Sequence, residues 1–220
     1  VFTANANASG LMGLRCGGGN IINASNNVIS GINLLGSTAT VTPVFNGINA
    51  GGATTMNISN NTIGSASLAN SINAVTAATG TTAQIIRGIF VSSGTTVTVS
   101  GNLIANMNTN LVSTGTAGHT VVGIGVTGSS CTVVNNTIRN LTSSSQSTSG
   151  GSAPSVIGIS YTATTAPAII RGNTIHTLKN TNTTTTSGPV VAGLFYGGAS
   201  GATNIIEKNN IHSLVLSSNT

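Results

Sequence analysis

Two phased series of residues run the length of the chain. Gly followed by Ile or Leu recurs as Gly13-Leu14, Gly47-Ile48, Gly88-Ile89, Gly123-Ile124, Gly158-Ile159 and Gly193-Leu194, at steps of 34, 41, 35, 35 and 35 residues. Asn-x-Ile recurs as Asn27-Val28-Ile29, Asn61-Thr62-Ile63, Asn102-Leu103-Ile104, Asn136-Thr137-Ile138, Asn173-Thr174-Ile175 and Asn209-Asn210-Ile211, at steps of 34, 41, 34, 37 and 36. Each Asn follows its Gly by 13 to 16 residues, so six copies of one unit fill the 220 residues. Self-similarity at this period marks a repeat architecture, in which each unit buries its apolar face only against its neighbours.

Within a unit the pattern reads as three short strands. The first surrounds the Gly: Leu11, Phe45, Ile86, Val121, Val156 and Val191 lie two before it, and Leu14, Ile48, Ile89, Ile124, Ile159 and Leu194 lie one after. Both sets are apolar and are expected inward. Their spacing of three breaks alternation, which predicts a bend at Gly13, Gly47, Gly88, Gly123, Gly158 and Gly193. The second strand precedes the Asn. Ala24, Ile58, Val99, Val133, Ile170 and Ile206 lie three back, and Ile22, Met56, Val97, Cys131, Ala168 and Asn204 lie five back. That is period two, broken only at Asn204. The third strand carries Ile29, Ile63, Ile104, Ile138, Ile175 and Ile211, followed three residues on by Ile32, Ala66, Met107, Leu141, Leu178 and Leu214. A loop rich in Ser, Thr, Asn and Gly follows, such as 142–155 or 180–188. A helical reading fails, because β-branched residues and Asn dominate and no i,i+4 charge pairs occur.

Stacking solves the burial problem of so small a unit. Each strand pairs in parallel with the same strand one unit on, about 4.8 Å away, so like residues stand over like. The expected fold is all-β: a single-stranded parallel β-solenoid of about six coils spanning residues 1–220, uncapped at both ends and rising ~29 Å. At the second turn Asn26, Asn60, Gly101, Asn135, Gly172 and Lys208 precede the repeated Asn. Asn and Gly tolerate left-handed backbone, and Lys208 is the odd member. Asn27, Asn61, Asn102, Asn136, Asn173 and Asn209 are expected to form an amide ladder. Residues 1–9 read as the tail of a Ser/Thr/Asn loop.

Composition then narrows function. Charged residues make up 3% of the chain, Glu207 is the sole acid, and the net charge is +5. Paired-carboxylate hydrolysis, all-protein calcium cages and two-metal phosphoryl transfer within this chain are excluded. The basic balance reflects missing acids rather than a cluster of cations, so nucleic acid is not an implied partner. No apolar run of ~20 residues occurs to span a membrane as a helix. The Ser, Thr, Asn and Gly content, with almost no Lys or Glu, reads as secreted or cell-surface.

The order Gly-Ile, apolar pair, Asn-Asn-Thr-Ile, x-x-Leu resembles the right-handed parallel β-helix repeats of the pectin-lyase-like superfamily. Segments such as Gly193-Leu194-Phe195-Tyr196-Gly197-Gly198 and Asn210-Ile211-His212-Ser213-Leu214 are similar to those of large repetitive surface proteins of Bacteroidetes-type bacteria, exported by type IX secretion. The resemblance covers essentially the whole chain and implies a right-handed coil. The superfamily's enzymes use Asp-bound calcium with an Arg base, or Asp clusters. No Asp exists here, so those roles do not transfer.

The remaining candidates are weak as chemistry. His176 and His212 occupy equivalent positions and are expected to stack on the outer face; two histidines without a third ligand make no zinc site. His119 lies in a loop. Cys16 and Cys131 fall three coils apart, beyond disulfide reach, and are expected as buried free thiols. Tyr161 and Tyr196 are expected inward, whereas Phe90 and Phe195 fall at outward positions and are candidate contacts for a partner. A flat Thr-x-Thr ice-binding face is not repeated beyond Thr96-Val97-Thr98. The reading is of a non-enzymatic extracellular structural protein, with no catalytic residue, metal or cofactor, whose first partner is itself, end to end and side by side. The alternatives are an adhesin or glycan-binding stalk that takes carbohydrate, and a catalytically dead relative of polysaccharide lyases.

Overall fold

The structure, a computed structural model, describes residues 2–4, 10–36, 44–76, 85–110, 120–144, 154–165, 167–182, 190–198, 200 and 203–217. A short strand β1 (Phe2–Ala4) leads into the first coil: β2 (Gly10–Gly17), β3 (Ile21–Ser25) and a third strand in two pieces, β4 (Val28–Ile29) and β5 (Ile32–Gly36). The second coil has β6 (Val44–Gly51), β7 (Thr55–Ser59), β8 (Thr62–Gly64) and β9 (Ile72–Thr76). The next three are β10 (Ile85–Val91), β11 (Thr96–Ser100) and β12 (Leu103–Asn110); β13 (Thr120–Val126), β14 (Cys131–Val134) and β15 (Thr137–Ser143); and β16 (Val156–Tyr161), β17 (Ile169–Arg171) and β18 (Thr174–Asn180). The sixth is β19 (Val191–Tyr196), β20 (Ile205–Glu207) and β21 (Asn210–Leu216).

Each strand pairs in parallel with its counterpart one coil away, giving three sheets that wrap one core. Register follows the repeat: Ile104 stands on Ile138, Val99 on Val133 and Ile89 on Ile124. This is the parallel β-solenoid that the periodicity predicts. The inward columns are buried through the middle coils, among them Phe45, Ile86, Val121 and Val156, and Ile63, Ile104, Ile138 and Ile175. Burying a side chain of this size contributes roughly 2 kcal/mol. β-branched side chains suit these ladders because they pack well on a pleated surface.

Four expectations need correction. The first concerns the repeated glycines. Pairing skips them, so the strand does break alternation there. Yet none has a left-handed φ, and the need for Gly is spatial. A Cβ on Gly88 would meet Ile104 Cγ2 at 2.6 Å and the Gly123 carbonyl oxygen at 2.6 Å. Gly47 meets Ile63, Gly123 meets Ile138, Gly158 meets Ile175 and Gly193 meets Ile211 in the same way. The two sequence series are thus the two halves of one contact, made within each coil across the core.

The second correction is Ala66. The long step of 41 residues arises because the third strand of the second coil is interrupted after Gly64, whose Cβ would overlap the Ala105 carbonyl oxygen. Residues 65–70 leave the stack as an excursion, exposed over 66–70, and after the buried Ser71 the chain returns, with Ile72 taking the column position against Met107. Arg139 holds the excursion by donating to the Ala66 carbonyl at 2.5 Å. The third is the N-terminal segment: Phe2–Ala4 is not loop but a strand, paired with Leu34–Gly36. The loops expected over 142–155 and 180–188 start later, since β15 runs to Ser143 and β18 to Asn180. Their centres, 145–153 and 183–189, lie outside the described residues.

Substituting Gly88→Ala is expected to cost about 1–3 kcal/mol, the usual range for overpacking a core. Gly10→Ala is the control, since its Cβ would meet only the Val44 carbonyl oxygen, at 3.7 Å. Urea denaturation of the two variants beside the parent measures both.

Candidate functional site

The second turn carries the most regular polar structure. In every coil the residue before the repeated Asn is left-handed: Asn26, Asn60, Gly101, Asn135, Gly172 and Lys208 have φ of 58°, 55°, 64°, 56°, 66° and 55°. One such residue redirects the chain from the second sheet to the third and turns the next side chain inward. Lys208 adopts this geometry without the local help that Asn or Gly gives, at a cost of roughly 1–2 kcal/mol.

The inward side chains form a continuous ladder. Nδ2 of Asn27, Asn61, Asn102, Asn136 and Asn173 donates to Oδ1 of the Asn in the following coil, at 2.8, 2.9, 2.9, 3.0 and 2.9 Å. The backbone N–H of the same residues donates to the same oxygen, at 3.0, 2.9, 2.9, 3.0 and 3.1 Å. A backbone N–H can only donate, so the atom facing it must be the amide oxygen; the orientation of every amide is fixed. Nδ2 also donates one coil back to a second-sheet carbonyl, from Asn61 to Ala24, Asn102 to Ile58, Asn136 to Val99, Asn173 to Val133 and Asn209 to Ile170, each at 2.9 Å.

This ladder has a direction. Among the described residues nothing donates to Asn27 Oδ1, and nothing accepts from the Asn209 backbone N–H. One end of the stack therefore offers an acceptor and the other a donor. The apolar columns are open at the same two ends. In the last coil Ile206, Ile211 and Leu214 are 44%, 40% and 42% exposed. In the first coil Leu11, Leu14, Ile22, Ile29 and Ile32 are only partly covered. A hollow at one end is lined by Leu14, Ile22, Ala24 and Asn27, and one at the other by Leu194, Ile206, Asn209 and Ile211.

Other sequence candidates are placed as follows. Cys16 and Cys131 are free and buried. Burial pushes the Cys131 thiol up to about 12 and raises Cys16 as well, so neither is a nucleophile near neutrality. Tyr161 is fully buried; its hydroxyl donates to the Ser129 carbonyl at 3.0 Å and accepts from the Cys131 N–H at 3.1 Å. Its ring stacks on Tyr196 at 5.6 Å. Asn204, at an otherwise apolar position, accepts from the Ala168 N–H at 2.9 Å. His176 and His212 stack face to face at 4.9 Å on the outer side. Burial, then the neighbouring His212 and Arg139, push the His176 imidazole below its ordinary value. No group of three His, Cys, Asp or Glu that could hold a metal gathers among the described residues. His119 lies outside them. Glu207 pairs with Arg171 at 3.6 Å, both side chains about half exposed.

Phe90 and Phe195 are half-buried on the outer side of the first sheet, in one column with Gly125 and Ser160 between them. The Arg87 guanidinium lies 4.2 Å over the Phe90 ring. A groove of ≈ 220 Å³ runs beside it, lined by Ile85, Val122, Pro154 and Ile157 with hydroxyls of Thr120, Thr127 and Ser160. Sequence reasoning placed Phe90 outward but missed Arg87, three residues before it, as the group that covers one ring face.

Comparison with known proteins finds no matching family model, no matching curated protein and no matching solved structure. The functional reading therefore rests on the geometry of the stack.

An interior rung and an end rung of the ladder are expected to differ. Asn102→Ala strips the acceptor from two Asn61 donors and a donor from Asn136, leaving buried groups unpaired, and is expected to cost about 3–5 kcal/mol. Asn27→Ala removes a single rung at an open end and is expected to cost about 1 kcal/mol. Thermal or urea unfolding of the two variants tests this ordering.

Proposed function

We propose that the protein is an extracellular or cell-surface structural element whose coils continue the stack end to end, as subunits of a filament or as a stretch of a longer surface fibre. The observation that carries this reading is the match between the two open ends. A second copy placed one strand spacing below would set its Leu14 under Leu194, its Ala24 under Ile206, its Asn27 under Asn209 and its Ile29 under Ile211. Each apolar column would continue, and the open Asn209 donors would meet the open Asn27 acceptor. The contact is head to tail, which generates a filament rather than a closed dimer. Low charge supports the same reading, since it limits repulsion between neighbouring copies. A parallel solenoid of this repeat supports placing the chain beside the pectin-lyase-like β-helices, without their acidic catalytic groups. The Ser, Thr, Asn and Gly content supports an extracellular location.

The chain is expected to associate in a concentration-dependent way into single-width rods whose lengths are multiples of ~29 Å, six strand spacings. Ile211→Asp is expected to stop this while leaving the circular-dichroism spectrum intact. Sedimentation velocity and negative-stain microscopy measure both. Folded, monomeric protein at every concentration overturns the proposal.

A second reading, a glycan-binding stalk, is favoured by the outer groove beside Phe90 and Arg87. Its lining of apolar and hydroxyl-bearing residues suits one face of a sugar ring. Selective retention on a glycan array, lost in Phe90→Ala, is the result expected of a binding module; a passive scaffold shows none.

A further inference from the structure

We infer that the outer groove beside Phe90 is a binding site for a sugar carboxylate that bears an N-acyl group, with Arg87 holding the carboxylate. The inference rests on the glycan-binding reading and names the class of glycan.

The cation comes first. Arg87 stands in the middle of the stack, between Asn46 of the second coil and Val122 of the fourth. Its guanidinium lies over the Phe90 ring at 4.2 Å. Among the described residues its side chain makes one hydrogen bond, a long one of 3.5 Å to Oδ1 of the buried Asn46. No carboxylate of the sequence faces it, because Glu207 is the sole acid and pairs with Arg171 on the second sheet. Burial lowers the Arg87 guanidinium from its ordinary value, as expected of a cation that has lost water without gaining an anion. An arginine stays protonated all the same. One face of the guanidinium is taken by the ring, and its edge N–H groups form the fork that fits a planar carboxylate.

The groove supplies the rest. Val122 and Ile157 follow Arg87 in the same outward column, yet they are only 5% and 6% exposed. Ile85 and Pro154 extend this apolar lining, and Thr120, Thr127 and Ser160 bring hydroxyls. Gly125 keeps the space open. It stands between Phe90 and Ser160 in the neighbouring column. A Cβ there would touch Phe90 Cδ2 at 3.4 Å, Val122 Cγ1 at 3.7 Å and Arg87 Cδ at 3.8 Å, so a side chain at this position would take the ligand's place.

The ligand must match all three parts: an anion for Arg87, hydroxyls for the Thr and Ser residues, and an apolar group for the Ile, Val and Pro side chains. A neutral sugar lacks the first. A plain uronic acid has the first two, but its ring carries no apolar substituent. An N-acyl amino acid has the anion and the apolar group but no hydroxyls. A sugar acid with an N-acetyl group has all three, its methyl being the apolar part.

Five probes titrated into the protein and followed by ligand-observed NMR test this. N-acetylneuraminic acid is expected to bind about tenfold or more tightly than glucuronic acid, N-acetylglucosamine, glucose or N-acetyl-leucine, since each lacks at least one part. Arg87→Gln is expected to erase the preference for N-acetylneuraminic acid over N-acetylglucosamine. Lys179→Gln removes an equal charge from the third sheet and is expected to keep that preference. Gly125→Val is expected to lose binding of N-acetylneuraminic acid while its circular-dichroism spectrum matches the parent's. Equal or tighter binding of any other probe, a preference kept in Arg87→Gln, or binding kept in Gly125→Val overturns the inference. So does a failure of N-acetylneuraminic acid to bind, and the glycan-binding reading falls with it only if the glycan array also retains nothing.

Discussion

Parallel pairing between one coil and the next governs everything else in this protein. It places each residue about 4.8 Å from its counterpart, so whatever one coil puts at a position, the next must tolerate beside it. Apolar side chains meet this rule without difficulty. An inward polar group meets it only if it can both accept from one neighbour and donate to the next. The Asn amide does this with a donor to spare, and the spare hydrogen reaches a backbone carbonyl of the second sheet. Charges meet the rule worst. Two like charges at that spacing repel by about 1 kcal/mol even in water. Among the described pairings no Lys or Arg stands on another: Arg87 stands between Asn46 and Val122, Lys179 between Thr142 and Val215, and Arg171 on Glu207. The shortage of charge that the composition shows is what stacking in register asks for.

The same rule explains how much of the fold could be read beforehand. Columns write themselves into the sequence as periodic identities, so the strands, their order and the six ladder asparagines were legible from spacing alone. The Gly series was legible too, but its cause was not. A bend and a close approach both demand Gly, and only the core shows Ile104 Cγ2 where a Cβ would go. The Ala66 position failed for a different reason. A repeat can lengthen inside a strand as well as in a loop, and counting forward from Ile63 cannot tell which. The signal was available in Ile72-Asn73-Ala74-Val75, which has the pattern of Ile32-Asn33-Leu34-Leu35 and pairs with it. β1 escaped because three residues from the end of a unit carry neither its Gly nor its Asn. The Tyr161 hydroxyl was unreadable in principle, since its partners are backbone groups at Ser129 and Cys131 in the preceding coil.

The candidate site divides along the same line. Outward columns are weakly specified, because solvent accepts nearly anything there. Phe90 was placed on the right side, but its neighbour was not foreseen: a cation above the ring comes from a three-residue offset across the skipped Gly88, not from ordinary alternation. The end faces needed no such detail. They are cross-sections of columns already read from the sequence.

The direction of the ladder limits what the ends can do. Amides that all point one way leave an acceptor at Asn27 and donors at Asn209, so like ends cannot satisfy each other. Two first coils face to face would also bring their strands together against the parallel sense of every other pairing. Unlike ends match in both respects, so a stack of such coils extends in one direction only.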